Sequence, residues 1–163
     1  MVSFVQLLVI IALGGYGDVS AQPSDVCPNG WIRYYDSCYW VGYEQQLSFV
    51  EAEHYCRQHN GHLIHVETAD ENVFIVDVLH KTKAGNCWVG LSDMDTEGKW
   101  LWYGTQTTPE YTHWFPGEPG GSNNEDCAVF AAHHSDYSWD DYPCSTTQHP
   151  LCEYTPENTG IIG

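Results

Sequence analysis

Positive charge is what this chain has least of. Its 163 residues include only 5 Lys and Arg against 22 Asp and Glu, a formal net charge of −17 at pH 7. A surface of that sign repels the phosphate backbone and anionic lipid headgroups, which excludes nucleic acid and membrane insertion as modes of action. Beyond the first 21 residues there is no apolar run long enough to cross a bilayer. There is no C-x2-C pair to nucleate a zinc site, no H-E-x-x-H helix and no N-x-[ST] glycosylation acceptor. Internal repeats and low-complexity tracts are missing too.

Cysteine and aromatic residues, in contrast, are plentiful. Seven cysteines and seven tryptophans, within 14% aromatic content, argue for a packed domain despite the acidity. The length suits one domain. Residues 1–21 carry the apolar run "VQLLVIIAL" followed by Val19-Ser20-Ala21, the pattern of a secretory signal, although no basic residue precedes the run. The expected mature domain is 22–154, with 155–163 a short flexible tail. Export and an oxidising compartment favour disulfides. Cys27, Cys38, Cys56, Cys127, Cys144 and Cys152 suffice for three bridges, leaving Cys87 over. Its two fates are a buried thiol or an interchain bridge, and the odd count is read here as a disulfide-linked dimer. Excess carboxylate in an ordered, exported domain points to Ca²⁺, a cation abundant outside cells that prefers oxygen ligands.

Local signals give an α+β chain. "CPNGWIRYYDSC" reads as two short strands around a turn. Ser48-Phe-Val-Glu51 and Thr68-Ala-Asp-Glu71 are capping boxes that open two helices, with stops near Gly61 and Gly85. Phe49, Ala52 and Cys56 fall on one face of the first helix. From residue 87 the runs "CWVGLSD", "KWLWYGT", "CAVFAAH" and "PLCEYT" read as strands between polar loops. The segment from Gly104 to Asp126 is too long for a simple connection, and such loops are usually functional.

Two acidic segments, "NED" at 124–126 and "WDD" at 139–141, stand with Glu118 near that loop. Carboxylates gathered at close range repel, and a bound divalent cation reverses that sign. The histidines do not compose a catalytic or zinc motif. His59, His62 and His65 are three apart, His133 and His134 are adjacent, and all are expected to be solvated or packed around the turn after the first helix. No Ser/His/Asp order stands out either, so the chain is not read as an enzyme.

Taken in order, "CPNGWIRYYDSCYW", the helix with Cys56, "WVGLSD", "EPG", "NEDC", "WDDYPC" and "LCEY" resemble the C-type lectin domain from Cys27 to Tyr154. The resemblance implies a double-loop fold with two helices, two small antiparallel sheets and a long calcium-binding loop. It implies the bridges Cys27–Cys38, Cys56–Cys152 and Cys127–Cys144, and a cis bond before Pro119. It implies a sugar-site Ca²⁺ on Glu118, Glu125, Asp140 and Asp141, completed by two adjacent hydroxyls of a hexose or N-acetylhexosamine. Asp93, Glu97 and Asp126, with Glu125, match the positions of an auxiliary Ca²⁺. Members selective for mannose-like sugars carry "EPN" here and galactose-type members "QPD". In this chain Gly120 replaces the third residue, so one side-chain ligand and one hydrogen bond to a hydroxyl are missing, a gap that Asn123, Asn124 or water would have to fill. The function implied is a secreted, calcium-dependent lectin for glycans on microbial or cell surfaces, acting in agglutination or innate recognition. The alternative is an acidic, calcium-binding matrix or mineral-associated protein with the same fold and no sugar ligand.

Overall fold

The structure, a computed structural model, describes residues 27–120 and 124–156. The expected signal segment and residues 157–163 of the tail lie outside the described residues. In chain order the elements are β1 (Ile32–Tyr34), β2 (Ser37–Val41), α1 (Phe49–Gln58), β3 (His62–Leu63), α2 (Ala69–Thr82), β4 (Cys87–Ser92), β5 (Leu101–Trp102), β6 (Cys127–Phe130), β7 (Trp139–Tyr142) and β8 (His149–Tyr154).

Both helices begin where their capping residues stand. The Glu51 carboxylate accepts from the Ser48 N–H at 3.0 Å and from its hydroxyl at 2.6 Å, which holds down the first turn of α1. At α2 the Thr68 hydroxyl accepts from the Glu71 N–H at 3.1 Å. The Glu71 carboxylate departs from the box: it accepts from Glu67 N–H at 2.9 Å and from the Tyr39 hydroxyl at 2.9 Å. Burial there pushes the Glu71 carboxyl up to about 7. Helix α2 stops earlier than Gly85 suggests, because Lys83 takes the left-handed conformation (φ 54°) and its N–H turns back to the His80 carbonyl.

Strands β1, β2 and β8 form one antiparallel half, and β4, β5, β6 and β7 the other. The two expected antiparallel sheets are joined into one mixed sheet, since β4 and β8 run parallel through Cys87↔His149 and Trp88↔Pro150. The join follows from burial: every residue of β4 is buried, so its edge needs a backbone partner inside the core. Alternation then divides the core in two. Trp88, Cys127 and Val129 face Phe49, Ala52 and Cys56 of α1, while Val89, Ala128 and Phe130 join Ile75 and Leu79 of α2. Glu53, not foreseen as a core residue, ties α1 to β3 by accepting from Arg57 Nε and from the Leu63 N–H, each at 2.7 Å.

The three bridges are Cys27–Cys38, Cys56–Cys152 and Cys127–Cys144, as the resemblance implies. Cys87 corrects the dimer reading. It opens β4 with no exposed surface, and its thiol lies 3.5 Å from the Gly85 carbonyl. Burial raises its pKa. A thiol so enclosed does not reach a second chain, so Cys87 takes the other fate, a buried free thiol.

His65 also departs from the solvated reading. It stacks on Trp102 with centroids 4.8 Å apart, and its Nε2 is buried with no hydrogen-bond partner among the described residues. Burial, reinforced by His62, pushes its pKa down to about 3. Between pH 6.5 and 3 the unfolded chain therefore binds a proton that the fold excludes. Stability falls as the pH is lowered through that window, by up to about 1.4 kcal/mol per pH unit from this group. Replacing the ring by one that does not titrate removes that slope. His65→Phe is expected to lose less stability than the native protein on going from pH 7 to pH 5 in urea melts; parallel losses would show that His65 is not excluded from protonation.

Candidate functional site

The long loop is positioned by tryptophans. Trp114 packs on Trp100 (4.7 Å) and on Trp139 (5.9 Å), at steep edge-on angles of 65° and 81°. The backbone follows: Trp139 N–H donates to the His113 carbonyl at 2.7 Å, and Phe115 N–H to the Trp139 carbonyl at 2.8 Å. These bonds lay segment 113–115 alongside the start of β7. A tight turn comes next, Phe115-Pro116-Gly117-Glu118, closed by Glu118 N–H on the Phe115 carbonyl at 2.9 Å. Gly117 supplies the positive φ (107°) that a type II turn needs at its third position. The Glu118–Pro119 bond is cis. The turn brings Glu118 to β7, where the β6 pairing Ala128↔Asp141 and Val129↔Asp140 fixes the two aspartates.

Glu118, Asp140 and Asp141 each place a carboxylate oxygen within 4.8 Å of the others. At 4.8 Å two unit charges repel by roughly 3–4 kcal/mol at an effective dielectric of about 20. The consequence is visible in Glu118, whose carboxyl is pushed up to about 7 by desolvation, by its hydrogen bond with Asp141 and by the charges of Asp140, Asp141 and Glu125. Glu125 thus lies close enough to add its charge but outside the triplet itself. Asp141 is 4% exposed, and both its oxygens accept from the Gly120 N–H at 3.0 Å. Gly120 therefore contributes a backbone donor where its side chain is absent. A Cβ built there would sit 2.9 Å from Glu118 Oε2, the movable end of a long side chain. Asn124 is exposed, and Asn123 lies outside the described residues.

The residues matched to an auxiliary cation feel one another's charge, but among the described residues they do not gather as closely as the Glu118 triplet. Asp93 is 3% exposed; its Oδ2 accepts from Gly98 N–H at 2.7 Å, while its Oδ1 is buried without a partner among the described residues. Its N–H donates to the Asp126 carbonyl at 3.2 Å, which joins the two loops. Desolvation, then Asp126 and Asp141, raises its pKa. Glu97 is shifted up as well, by desolvation and then by Asp93, Asp126 and Asp141. A buried carboxylate oxygen left without a partner, within reach of other carboxylate charges, is the donor chemistry that Ca²⁺ satisfies.

His133 and His134 are not among the site residues that the sequence motifs indicate. They stand in the turn from β6 to β7, and both Nε2 atoms approach Asp140 Oδ2, at 3.6 and 3.8 Å. The signal was present as two adjacent histidines directly ahead of an aspartate-bearing strand, but it fits no linear metal motif.

Residues 45–154 match the family model for the lectin C-type domain. Perlucin of Haliotis laevigata is 38% identical over 129 residues, covering 78% of this chain and 82% of that one. Among solved structures, a calcium-independent type II antifreeze protein superposes with a TM-score of 0.72 at 28% identity, covering 80% of this chain and 95% of its own. The carbohydrate-recognition domain of the mouse scavenger receptor C-type lectin gives 0.71 at 27% identity, over 81% of this chain and all (100%) of that domain. With these bridges, this loop and these matches, the chain belongs to the C-type lectin domain family.

Proposed function

We propose that this is a secreted, calcium-dependent carbohydrate-binding protein, with Glu118, Glu125, Asp140 and Asp141 holding the ion at the sugar site. The observation that carries the reading is the convergence of Glu118, Asp140 and Asp141 from two separate segments onto one spot, with an oxygen of each within 4.8 Å of the others. No basic side chain forms an ion pair with Glu118 or Asp141 among the described residues. Repulsion of that size is tolerated where a cation offsets it. Ca²⁺ accepts mixed carboxylate and carbonyl oxygens and, when bound, supplies coordination positions for two adjacent hydroxyls of a hexose or N-acetylhexosamine. The carboxylates not spent on the ion accept hydrogen bonds from those same hydroxyls. Asp93, Glu97 and Asp126 are the proposed auxiliary set, which would brace the loop behind the sugar site.

Gly120 sets the selectivity within this scheme. The backbone N–H already satisfies Asp141, and no amide reaches a hydroxyl from position 120. The ligand is therefore held on one side more than the other, and a glycan-coated surface of microbe or cell is the target class. A second reading keeps the ion and drops the sugar, as in a mineral-associated protein. The missing arm at Gly120 favours it. A glycan array probed in calcium and again in chelator separates them: spots that vanish with chelator support the lectin, and silence in both conditions leaves the second reading.

A further inference from the structure

We propose a second metal site, of the zinc class, that shares Asp140 with the Glu118 cluster and is formed by Asp140 with His133 and His134. Asp140 Oδ1 accepts the Asp141 N–H at 3.1 Å, whereas Oδ2 faces the two imidazoles. The Nε2–Oδ2 separations are 3.6 Å for His133 and 3.8 Å for His134, and one ligand atom from each of the three residues lies within 4.8 Å of the others. Such distances are too long for hydrogen bonds. They approach the spacing of two ligands on one tetrahedral ion, about 3.3–3.4 Å when each bond is about 2.0–2.1 Å. Two imidazoles and one carboxylate are the donor set of Zn²⁺ and its neighbours, while Ca²⁺ prefers all-oxygen shells.

An unsatisfied donor points the same way. His134 Nε2 is buried and has no hydrogen-bond partner among the described residues. Phe115 stacks on the His134 ring with centroids 3.8 Å apart and planes 7° from parallel, which fixes where that nitrogen points. The turn carrying both histidines is anchored at each end. Ala132 N–H donates to Asn86 Oδ1 at 2.9 Å, and the Tyr137 hydroxyl donates to the Ala84 carbonyl at 2.6 Å. His134 itself is tied by its N–H to the Ala131 carbonyl at 3.1 Å. A turn held this way presents its ligands with little ordering left to do on binding. His133 is about half exposed (54%), leaving a route for the ion and a fourth position open to water.

The test is calorimetric titration of the whole protein with Zn²⁺ alone, after chelator treatment and dialysis into calcium-free buffer. One ion per chain is expected. His133→Ala, at an exposed position, should weaken binding at least tenfold, as should Asp140→Asn. His54→Ala, on the exposed face of α1, should leave it within twofold. Because calcium is absent throughout, the result does not depend on the Glu118 cluster binding Ca²⁺. No zinc binding by the native protein, or binding unchanged by His133→Ala, overturns the site. A loss on His54→Ala equal to that on His133→Ala assigns the zinc to surface histidines and overturns it as well.

Discussion

Asp141→Asn is expected to weaken calcium binding on the order of 100-fold and to abolish calcium-dependent glycan retention. Asp141 is the one member of the carboxylate triplet that is fully in the interior, at 4% exposure, and the one that also fixes Gly120. Asparagine keeps an acceptor for the Gly120 N–H and nearly the same volume, so the fold should survive. What disappears is one unit of charge from a cluster whose members lie within 4.8 Å. The sign of the stability change makes the test specific. Without calcium the variant should be at least as stable as the native protein, because a repulsion has been relieved. With calcium the native protein should gain melting temperature and the variant should gain little. Equal calcium-induced shifts in both would remove Asp141 from the ion's ligands.

The second large effect belongs to the fold. Removing the Cys56–Cys152 bridge by Cys56→Ala with Cys152→Ala is expected to cost about 4–5 kcal/mol. The bridge spans a sequence separation of 96, and closing a loop of that size removes about that much freedom from the unfolded chain. Both half-cystines are wholly buried, where α1 packs on β8, so lost packing adds to the entropic part. A fall in melting temperature on the order of 10–20 °C follows for a domain of this size. A fall of only about 2 °C in scanning calorimetry would mean that the α1–β8 contact stands without its staple.

Local chemistry explains which elements the sequence announced. Both helices begin at a hydroxyl followed three residues later by glutamate, a signal that acts within one turn and needs no tertiary context. Strand β7 is not legible as a strand, because Trp139-Asp-Asp-Tyr142 has little strand propensity of its own. It is made by pairing with β6, and that pairing carries Asp140 and Asp141 in the ladder. Strand β3 is only two residues long and exists as a partner of β8. Cys87 shows the same limit from the other side. Its odd count suggested a bridge, and only its place in a fully buried strand decides against one.

At the site, the resemblance named the carboxylates and the structure brings three of them together, with Glu125 beside them. The role of Gly120 was legible only as a missing side chain. That its N–H serves Asp141 depends on the turn at Gly117 and the Trp114–Trp139 packing, which join residues 21 apart in the chain. His133 and His134 escaped for the same reason, since their relation to Asp140 is a matter of how one hairpin turn is anchored.

The most direct test is a crystal structure of residues 22–163 grown with Ca²⁺ and a hexose. The expected result is an ion bound by Glu118, Glu125, Asp140 and Asp141, with two adjacent sugar hydroxyls completing its shell. A sugar seated away from these residues, or a site that stays without an ion at saturating calcium, would contradict it.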